Sequence, residues 1–379
     1  MAELERIPAE EALQIENIVR LTIEQLKRRY PGEAAVRRGV HPKDHGCVTA
    51  KFKVHDSLAA DLRVGVFAVP CHEYDALIRF SNADTLVRDD STNAPSGAVS
   101  HGSRGMAVKL MGVSGTPLVP PDGPLTQDFL MINQPVFAFS NVEDYEALSQ
   151  VILKDKDEAG RFFAERIHRK PDGSPDMTDA TTIRALKTFG IVQRIRSAVL
   201  TAPPAVPPAR PIPIAYQTPP ASPVDNRYFS ASPFLFGADR VMKFSANPVA
   251  PVLTETPDVS DPDYLRTTLR KRLTQDIVFD FQVQVRAASD LAGKIDSEIE
   301  DACFEWDEQK HPFACVATIT IPAQDFETDQ RRALCESLTF TPWHGIVEHR
   351  PLGGINRLRL AVYEASTRFR HMPKEPARS

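Results

Sequence analysis

The chain has 379 residues, of which 42% are hydrophobic and 25% are charged, the composition of a globular protein and not of a disordered chain. Its 45 basic and 50 acidic residues give a formal charge of -5 without a long run of either sign, which argues against nucleic-acid or anionic-membrane partners. No uncharged stretch reaches the roughly 18 residues of a membrane span, and acids near the start replace the basic region of a secretory signal. We therefore expect a cytoplasmic protein.

The first half predicts one helix followed by strands. Leucines and isoleucines at helical spacing predict an amphipathic helix within residues 1–30. From Val48 the pattern changes to alternating apolar and polar residues, which is typical of a half-buried strand. Further short strands are expected at these positions: 63–69, 76–81, 105–111 and 128–132.

The middle of the chain combines helices with a proline-rich segment. Asn141 and the acids after it predict a helix start, with the helix continuing to about Leu153, and a second helix is expected over 181–200. Residues 203–223 hold nine prolines, too many for a helix or a central strand, so we expect an extended arm. Such an arm could join two parts of the chain or wrap a neighbour, and it makes a homo-oligomer plausible.

Strands resume after this insert. Asp261-Pro262 has the order of a helix start, residues 279–285 alternate as a strand does, and 313–321 is a second β-branched run. Strands on both sides of a helical and proline-rich insert indicate one sheet or barrel that is closed by segments distant in sequence. We interpret residues 1–379 as a single domain of the α+β class.

The five cysteines are widely spaced and form no CxxC pair. We interpret them as reduced, mostly buried thiols. Cys71-His72-Glu73 lacks partners at zinc spacing, so a structural role is expected there.

The segment at 355–372 carries the strongest chemical signal. If it is helical, Arg359, Tyr363 and Arg370 are spaced by four and then seven residues and share one face. A guanidinium within hydrogen-bond reach of a phenol stabilises the phenolate, which can serve as an oxygen ligand for ferric iron. An ordinary solvated face would show the same spacing, so the pattern needs support from elsewhere in the chain.

That support is a resemblance to the haem catalases. RLRLAVYEASTRFR resembles their proximal motif, in which an arginine, a tyrosine four residues later and an arginine seven further recur. The family also carries a Val-His pair, an Arg-Phe-Ser strand, an Arg-Gly-x-Ala-Val-Lys strand and an Asn-x-Pro turn. Similar fragments occur here in the same order: Val54-His55, Arg79-Phe80-Ser81, Arg104-Gly105-Met106-Ala107-Val108-Lys109 and Asn133-Gln134-Pro135.

The resemblance implies a closed antiparallel β-barrel of about eight strands with surrounding helices, and a ferric haem b between the barrel and the C-terminal helix. It implies Tyr363 as the iron ligand, with His55 as the catalytic acid and base and Asn133 as the hydrogen-bonding residue that orients the peroxide. The remaining residues expected to bind the cofactor are Val54, Arg79, Ser81, Phe137, Arg359 and Arg370.

Two departures from the family pattern affect these expectations. Catalases have an arginine three residues before the distal histidine, and the corresponding residue before His55 is Phe52, so Lys51 or Lys53 would have to replace that contact. Only nine residues follow Arg370, so we expect neither the helical C-terminal domain of full-length catalases nor bound NADPH. The sequence resembles the short catalase-related haem proteins most.

Three functions remain open at this stage. The first is a haem peroxidase or catalase-like oxidoreductase that reduces hydrogen peroxide or an organic hydroperoxide. The second is an isomerase or lyase of fatty-acid hydroperoxides, similar to allene oxide synthases, in which the substrate itself rearranges. The third is a barrel that binds haem or a lipid without turnover. Val54 before the histidine follows the catalase pattern and favours the first.

Overall fold

The computed structural model describes most of the chain. The described residues are 4–31, 36–83, 89–90, 92–93, 99–100, 103–121, 123–154, 159–196, 221–249, 258 and 260–371. The proline-rich arm that we predict over 203–223 lies outside them apart from its last three residues, of which Pro223 opens a short 3-10 turn.

Eight antiparallel strands form a closed barrel. The described part of the chain has eleven strands, of which three lie outside the barrel. In chain order they are β1 (Asp44–Val54), β2 (Glu73–Asn82), β3 (Thr92–Asn93), β4 (Val99–Ser100), β5 (Arg104–Met111), β6 (Thr126–Ile132), β7 (Tyr228–Phe229), β8 (Phe234–Leu235), β9 (Arg240–Pro248), β10 (Ile277–Ala287) and β11 (Phe313–Ile321). The barrel order is β10-β11-β1-β2-β5-β6-β7-β9, and pairing of β9 with β10 closes it. Strand β8 adds to β9, while β3 and β4 pair separately. The predicted fold class is confirmed.

Aromatic side chains fill the barrel interior. Along β1 the apolar residues of the alternating pattern are buried, and Phe52 is completely so. Its ring centroid lies 5.1 Å from that of Phe281 and 6.2 Å from that of Phe129. Burying each such ring contributes about 1.5–3 kcal/mol, so the interior is a packed core and not a pore.

The helices lie outside the barrel. They are α1 (Glu11–Arg29), α2 (Val142–Lys154), α3 (Ala159–Arg166), α4 (Ala180–Arg196), α5 (Tyr264–Arg272), α6 (Ile295–Glu298), α7 (Asp329–Ser337) and α8 (Gly354–His371). Helix α1 packs against α2 and α8, whereas α5 and α7 pack against β1. Within the part of the chain that the structure describes, no helix has the length and apolar character needed to cross a bilayer.

Most predicted elements are present, and one is wrong. The backbone amide of Asp144 donates to the Asn141 side chain at 3.0 Å, so Asn141 caps α2 as its position predicts. The strand predicted over 63–69 is replaced by two 3-10 turns, Ala60–Leu62 and Gly65–Phe67. Gly65 has φ +56°, a conformation that breaks a strand although Val66 and Phe67 after it are buried.

Candidate functional site

A cavity of about 380 Å³ lies between one side of the barrel and helices α1, α2 and α8. Its size falls in the range of small-molecule and cofactor pockets. Apolar residues from all these elements form most of its wall, including Leu21, Leu130, Ile132, Phe139, Leu148 and Val362. The ionisable side chains of the lining are four arginines, one histidine and two tyrosines, Tyr145 and Tyr363.

Helix α8 brings the three residues of the C-terminal motif to this cavity. Arg359, Tyr363 and Arg370 all line it, as their helical spacing predicts. The Arg359 guanidinium lies over the Tyr363 ring, with its central carbon 5.5 Å from the ring centroid. Arg359 also donates to the side-chain oxygen of Asn356 at 3.1 Å, which holds it beside the phenol.

Strand β2 contributes Arg79 and Ser81 from the opposite wall, and Phe137 follows β6 at the same cavity. Arg79 is 4% exposed, and its Nη2 donates to the backbone carbonyl of His41 at 2.9 Å. The structure therefore brings six of the nine predicted side chains to one cavity: Arg79, Ser81, Phe137, Arg359, Tyr363 and Arg370.

The histidine of the cavity is His41, which the sequence interpretation did not select. Its Nδ1 lies 2.9 Å from the Ser81 hydroxyl, so Nε2 is the ring nitrogen left for a ligand. The residue has φ +54°, which costs energy for a side chain of this size and is typical of functional sites. Burial, followed by the charges of Arg79, Arg359 and Arg38, lowers the pKa of His41 to about 3. The imidazole is therefore neutral at physiological pH.

Gly105 allows His41 to occupy this position. A Cβ atom on Gly105 would lie 2.6 Å from Nδ1 of His41 and 2.9 Å from the Ser81 hydroxyl. Both contacts are shorter than van der Waals packing permits, so any side chain would separate the hydrogen-bonded pair. The glycine of the Arg104-Gly105 motif is thus explained by a close approach of β5 to the histidine.

Asn133 lies just behind the cavity wall. It is 6% exposed, and its side-chain oxygen accepts from the Ser103 hydroxyl at 2.9 Å and from the backbone amide of Arg104 at 2.7 Å. Its Nδ2 donates to Asn226 at 3.3 Å. Ser103 lines the cavity, whereas Asn133 reaches the cavity through Ser103.

Four arginines surround the cavity, and several of their donors have no partner. Arg38 donates to the backbone carbonyls of Cys335 and Leu338 at 2.7 and 2.8 Å and forms an ion pair with Glu336. Nε of Arg79, Nε of Arg359, and both Nε and Nη1 of Arg370 are buried without a hydrogen-bond partner. Burial and the charges of Arg79 and Arg370 lower the pKa of Arg38 to about 10. Buried cations with unpartnered donors indicate an anionic ligand.

His55 and Val54 do not reach this cavity, which corrects their predicted placement opposite Tyr363. Val54 is fully buried in the barrel core. His55 follows it at the end of β1, where Nε2 lies 3.1 Å from the Thr318 hydroxyl and 3.8 Å from the Cys315 sulfur. The cavity is lined by residues that precede the start of β1, whereas His55 follows the opposite end of this eleven-residue strand.

A signal for His41 was present in the sequence. The chain contains two Val-His pairs, Val40-His41 and Val54-His55, and both Val40 and His41 line the cavity. Only the first pair has an arginine three residues before its histidine, Arg38, which also lines the cavity. The arginine that is missing at Phe52 is present at Arg38, so the resemblance described from the sequence extends to Val40-His41 better than to Val54-His55.

Comparison with known proteins supports the fold. No protein-family model matches the chain, and no curated protein matches it. Among solved structures, a fungal catalase is similar over 92% of this chain and 61% of its own, with a TM-score of 0.60 and 15% identity. Catalase A from Saccharomyces cerevisiae is similar over 92% of this chain and 63% of its own, with a TM-score of 0.59 and 15% identity. A bacterial catalase is similar over 92% of this chain and 59% of its own, with a TM-score of 0.56 and 14% identity.

The matched region therefore spans about three fifths of the length of these catalases. At identities of 14 to 15% the similarity establishes a catalase-like barrel, and activity has to be argued from the site itself.

Proposed function

We propose that this chain is a haem-dependent oxidoreductase that reduces hydrogen peroxide or an organic hydroperoxide. The observation that carries the proposal is the joint placement of Tyr363, His41 and four arginines around one mostly apolar cavity. The catalase-like fold is consistent with it.

The residues present fit haem b. Haem is a large apolar ring with two carboxylates, and the cavity pairs an apolar wall with cations that lack partners. Planar guanidinium groups bind carboxylates through two parallel hydrogen bonds. Arg38, Arg79 and Arg370 would hold the propionates, which would satisfy donors that are otherwise buried without an acceptor.

Tyr363 would hold the iron through its phenolate oxygen, a ligand that favours the ferric state. Arg359 would hold a positive charge beside that ligand, because its guanidinium lies over the ring face and is fixed there by Asn356. When bound, haem would supply the redox chemistry that cleaves the O–O bond of a peroxide.

His41 replaces His55 as the proposed acid and base. Neutral Nε2 can take the proton from the bound peroxide oxygen and return it to the leaving oxygen, while Ser81 keeps Nδ1 occupied and the ring oriented. Arg79 fixes the His41 backbone through its carbonyl. Asn133 stays a proposed orienting residue, and it would act through Ser103.

The apolar wall favours a second candidate, a hydroperoxide isomerase or lyase. Leu21, Leu130, Phe139 and Leu148 give a surface that suits an alkyl chain better than hydrogen peroxide. Parallel assays with hydrogen peroxide and a linoleate hydroperoxide separate the candidates. Dye oxidation or oxygen release supports the first, rearranged lipid without dye oxidation supports the second, and a haem spectrum without turnover of either supports a binding protein.

The decisive experiment concerns Tyr363. We expect haemin-reconstituted protein to show a ferric spectrum with a tyrosinate ligand, and Tyr363→Phe to lose it because phenylalanine has no oxygen to coordinate iron. Absorption and electron paramagnetic resonance spectra measure the effect. Tyr145→Phe is the matched control, since Tyr145 is a second tyrosine in the same cavity and should leave the spectrum intact. An unchanged spectrum in Tyr363→Phe would refute the assignment.

A further inference from the structure

Three half-buried side chains from β1 and β11 meet outside the cavity of the candidate site. Nε2 of His55 lies 3.8 Å from the Cys315 sulfur and 3.1 Å from the Thr318 hydroxyl. The backbone amide of His55 also donates to the Val316 carbonyl at 3.0 Å, which fixes the histidine against β11. A thiol and an imidazole that are distant in sequence are therefore in direct contact.

A β-bulge in β11 brings the sulfur and the hydroxyl to the same histidine. Cys315 and Thr318 are three residues apart, so regular alternation would place their side chains on opposite faces of the sheet. The register of β11 against β10 shifts at this point and leaves Val316 without a partner in β10. Val316 and Ala317 are both buried in the barrel core, and Cys315 and Thr318 therefore share the outer face.

The separation of the sulfur and the ring nitrogen suits a soft metal ion. Thiolate sulfur and imidazole nitrogen bind zinc at about 2.3 Å and about 2.0 Å, which sum to about 4.3 Å, and copper(I) forms bonds of similar length. The 3.8 Å between the Cys315 sulfur and Nε2 of His55 is less than this sum. One ion can therefore contact both atoms in a bent arrangement, and a further separation of roughly 0.5 Å would make the arrangement linear.

The number of available side chains distinguishes between metals. Among the residues that the structure describes, histidine, cysteine, aspartate and glutamate side chains form no group of three or more that could hold a metal ion. Zinc sites in proteins use three or four protein ligands, so one thiol and one imidazole do not suit zinc. Copper(I) is softer, selects thiolate ligands and accepts two-coordination, so the pair suits copper(I).

The electrostatic surroundings favour a cation over an oxidant. Asp280 on β10 is the cross-strand partner of Thr318, and it lies on the same outer face. Burial, followed by the charge of Asp280, raises the pKa of Cys315 to about 12, so the free thiol stays protonated and is a poor nucleophile towards peroxides. Lys53 is the partner of Thr318 on the other side, but its side chain is exposed and solvent screens its charge.

We propose that Cys315 and His55 bind one copper(I) ion, with the Cys315 sulfur and Nε2 of His55 as its two protein ligands. The contact between the two side chains and the bulge that creates it carry the inference. When the ion binds, the thiol proton passes to solvent, and the Thr318 hydroxyl gives up its contact with Nε2. None of these residues lines the proposed haem cavity, so the site does not depend on the proposed function.

The test titrates the full chain with copper(I) under anaerobic conditions, with ascorbate as reductant and bathocuproine disulfonate as the competing chelator. The titrated protein carries Cys71→Ser, because Cys71 is an exposed thiol that would compete for the metal. We expect saturation at one equivalent, and X-ray absorption should show one sulfur and one nitrogen bonded to the metal. Sulfur as the only ligand, or no binding in competition with the chelator, would overturn the proposal.

Paired variants separate metal binding from an ordinary hydrogen-bonded contact. Cys315→Ser and His55→Gln should each weaken copper(I) binding by about tenfold or more. Thr318→Val is the matched control, since it removes the hydroxyl contact but neither ligand, and it should not weaken binding. Equal losses in Thr318→Val and His55→Gln would contradict the assignment of ligands.

Thiol labelling of the unaltered chain gives a measurement that does not depend on how the variants fold. N-ethylmaleimide labelling followed by peptide mass spectrometry should show that one equivalent of copper(I) protects Cys315 several-fold more than Cys71, the exposed thiol. Equal labelling of Cys315 with and without the metal would overturn the site. Because the chain needs no haem for this measurement, a failure of haem binding leaves its outcome unaffected.

Discussion

At the scale of single residues, His41 and His55 both follow a valine, but they differ in whether they reach the cavity. His41 contacts Ser81, lies close to three arginines and lines the cavity, while His55 contacts Thr318 at the far end of β1. A neutral imidazole in a cavity can exchange a proton with a ligand. A histidine paired with a threonine hydroxyl outside the cavity has no such access.

We therefore expect His41→Ala to retain haem and to lose about 10²- to 10⁴-fold in peroxide turnover, the usual contribution of a general acid and base. His55→Ala is the matched control and should keep nearly full turnover. Steady-state rates normalised to haem content measure the difference. A larger loss in His55→Ala than in His41→Ala would contradict the proposed exchange of roles.

At the scale of elements, the position of α8 depends on one arginine near its start. Arg357 is 13% exposed in its side chain and forms ion pairs with Glu5, Glu11 and Glu300. These contacts attach the N-terminal segment, α1 and the segment after α6 to the helix that carries Tyr363. Removing the arginine would leave Glu11 and Glu300 without a cation, while Glu5 would keep only its ion pair with Arg350.

We expect Arg357→Leu to lower the free energy of unfolding by about 3 kcal/mol or more, because breaking a largely buried ion network costs far more than a surface pair. Arg368→Leu on the same helix is the control. Arg368 pairs with Glu364 in a mostly exposed contact, so its loss should cost only about 0.5 kcal/mol. Urea unfolding of the two variants measures the difference, and equal losses would refute the anchoring role.

At the scale of the whole molecule, buried histidines make stability depend on pH. Burial is the largest cause that lowers the pKa of His41 and His45 to about 3 and that of His349 to about 4. Their pKa values in the unfolded chain are about 6.5, so between these limits the unfolded state binds more protons than the native state. The contribution of these histidines to the free energy of unfolding is therefore fully present above pH 6.5 and is lost as the pH falls below it.

We expect the free energy of unfolding to drop by about 4 kcal/mol per pH unit between pH 5.5 and 4.5, or about 1.4 per histidine. Urea titrations at a series of pH values measure the slope. His349→Gln should reduce it by about a third, while His168→Gln, at a side chain that is 59% exposed, should leave it unchanged. A flat profile would show that these histidines are accessible to protons in the native state.

Local patterns were sufficient to predict many elements and one side of the site. The alternation from Val48 predicted β1, the asparagine cap predicted α2, and spacings of four and seven placed Arg359, Tyr363 and Arg370 on one face of α8. Such patterns can be read from sequence because helix and strand periods are set by the backbone within a few residues. The prediction of a strand over 63–69 was wrong because Gly65 adopts a left-handed conformation, which interrupts the extended backbone within this apolar segment.

What the sequence by itself determined is therefore the class of fold and the placement of Arg359, Tyr363 and Arg370 together on the C-terminal helix. Tertiary structure decided that Val40-His41, and not Val54-His55, lines the cavity with Tyr363, because the arginine before the first pair is a local signal that does not show where the pair packs. The physical reason is that the residues around the cavity are distant along the chain. Helix and strand periodicity does not indicate which of these distant surfaces pack together.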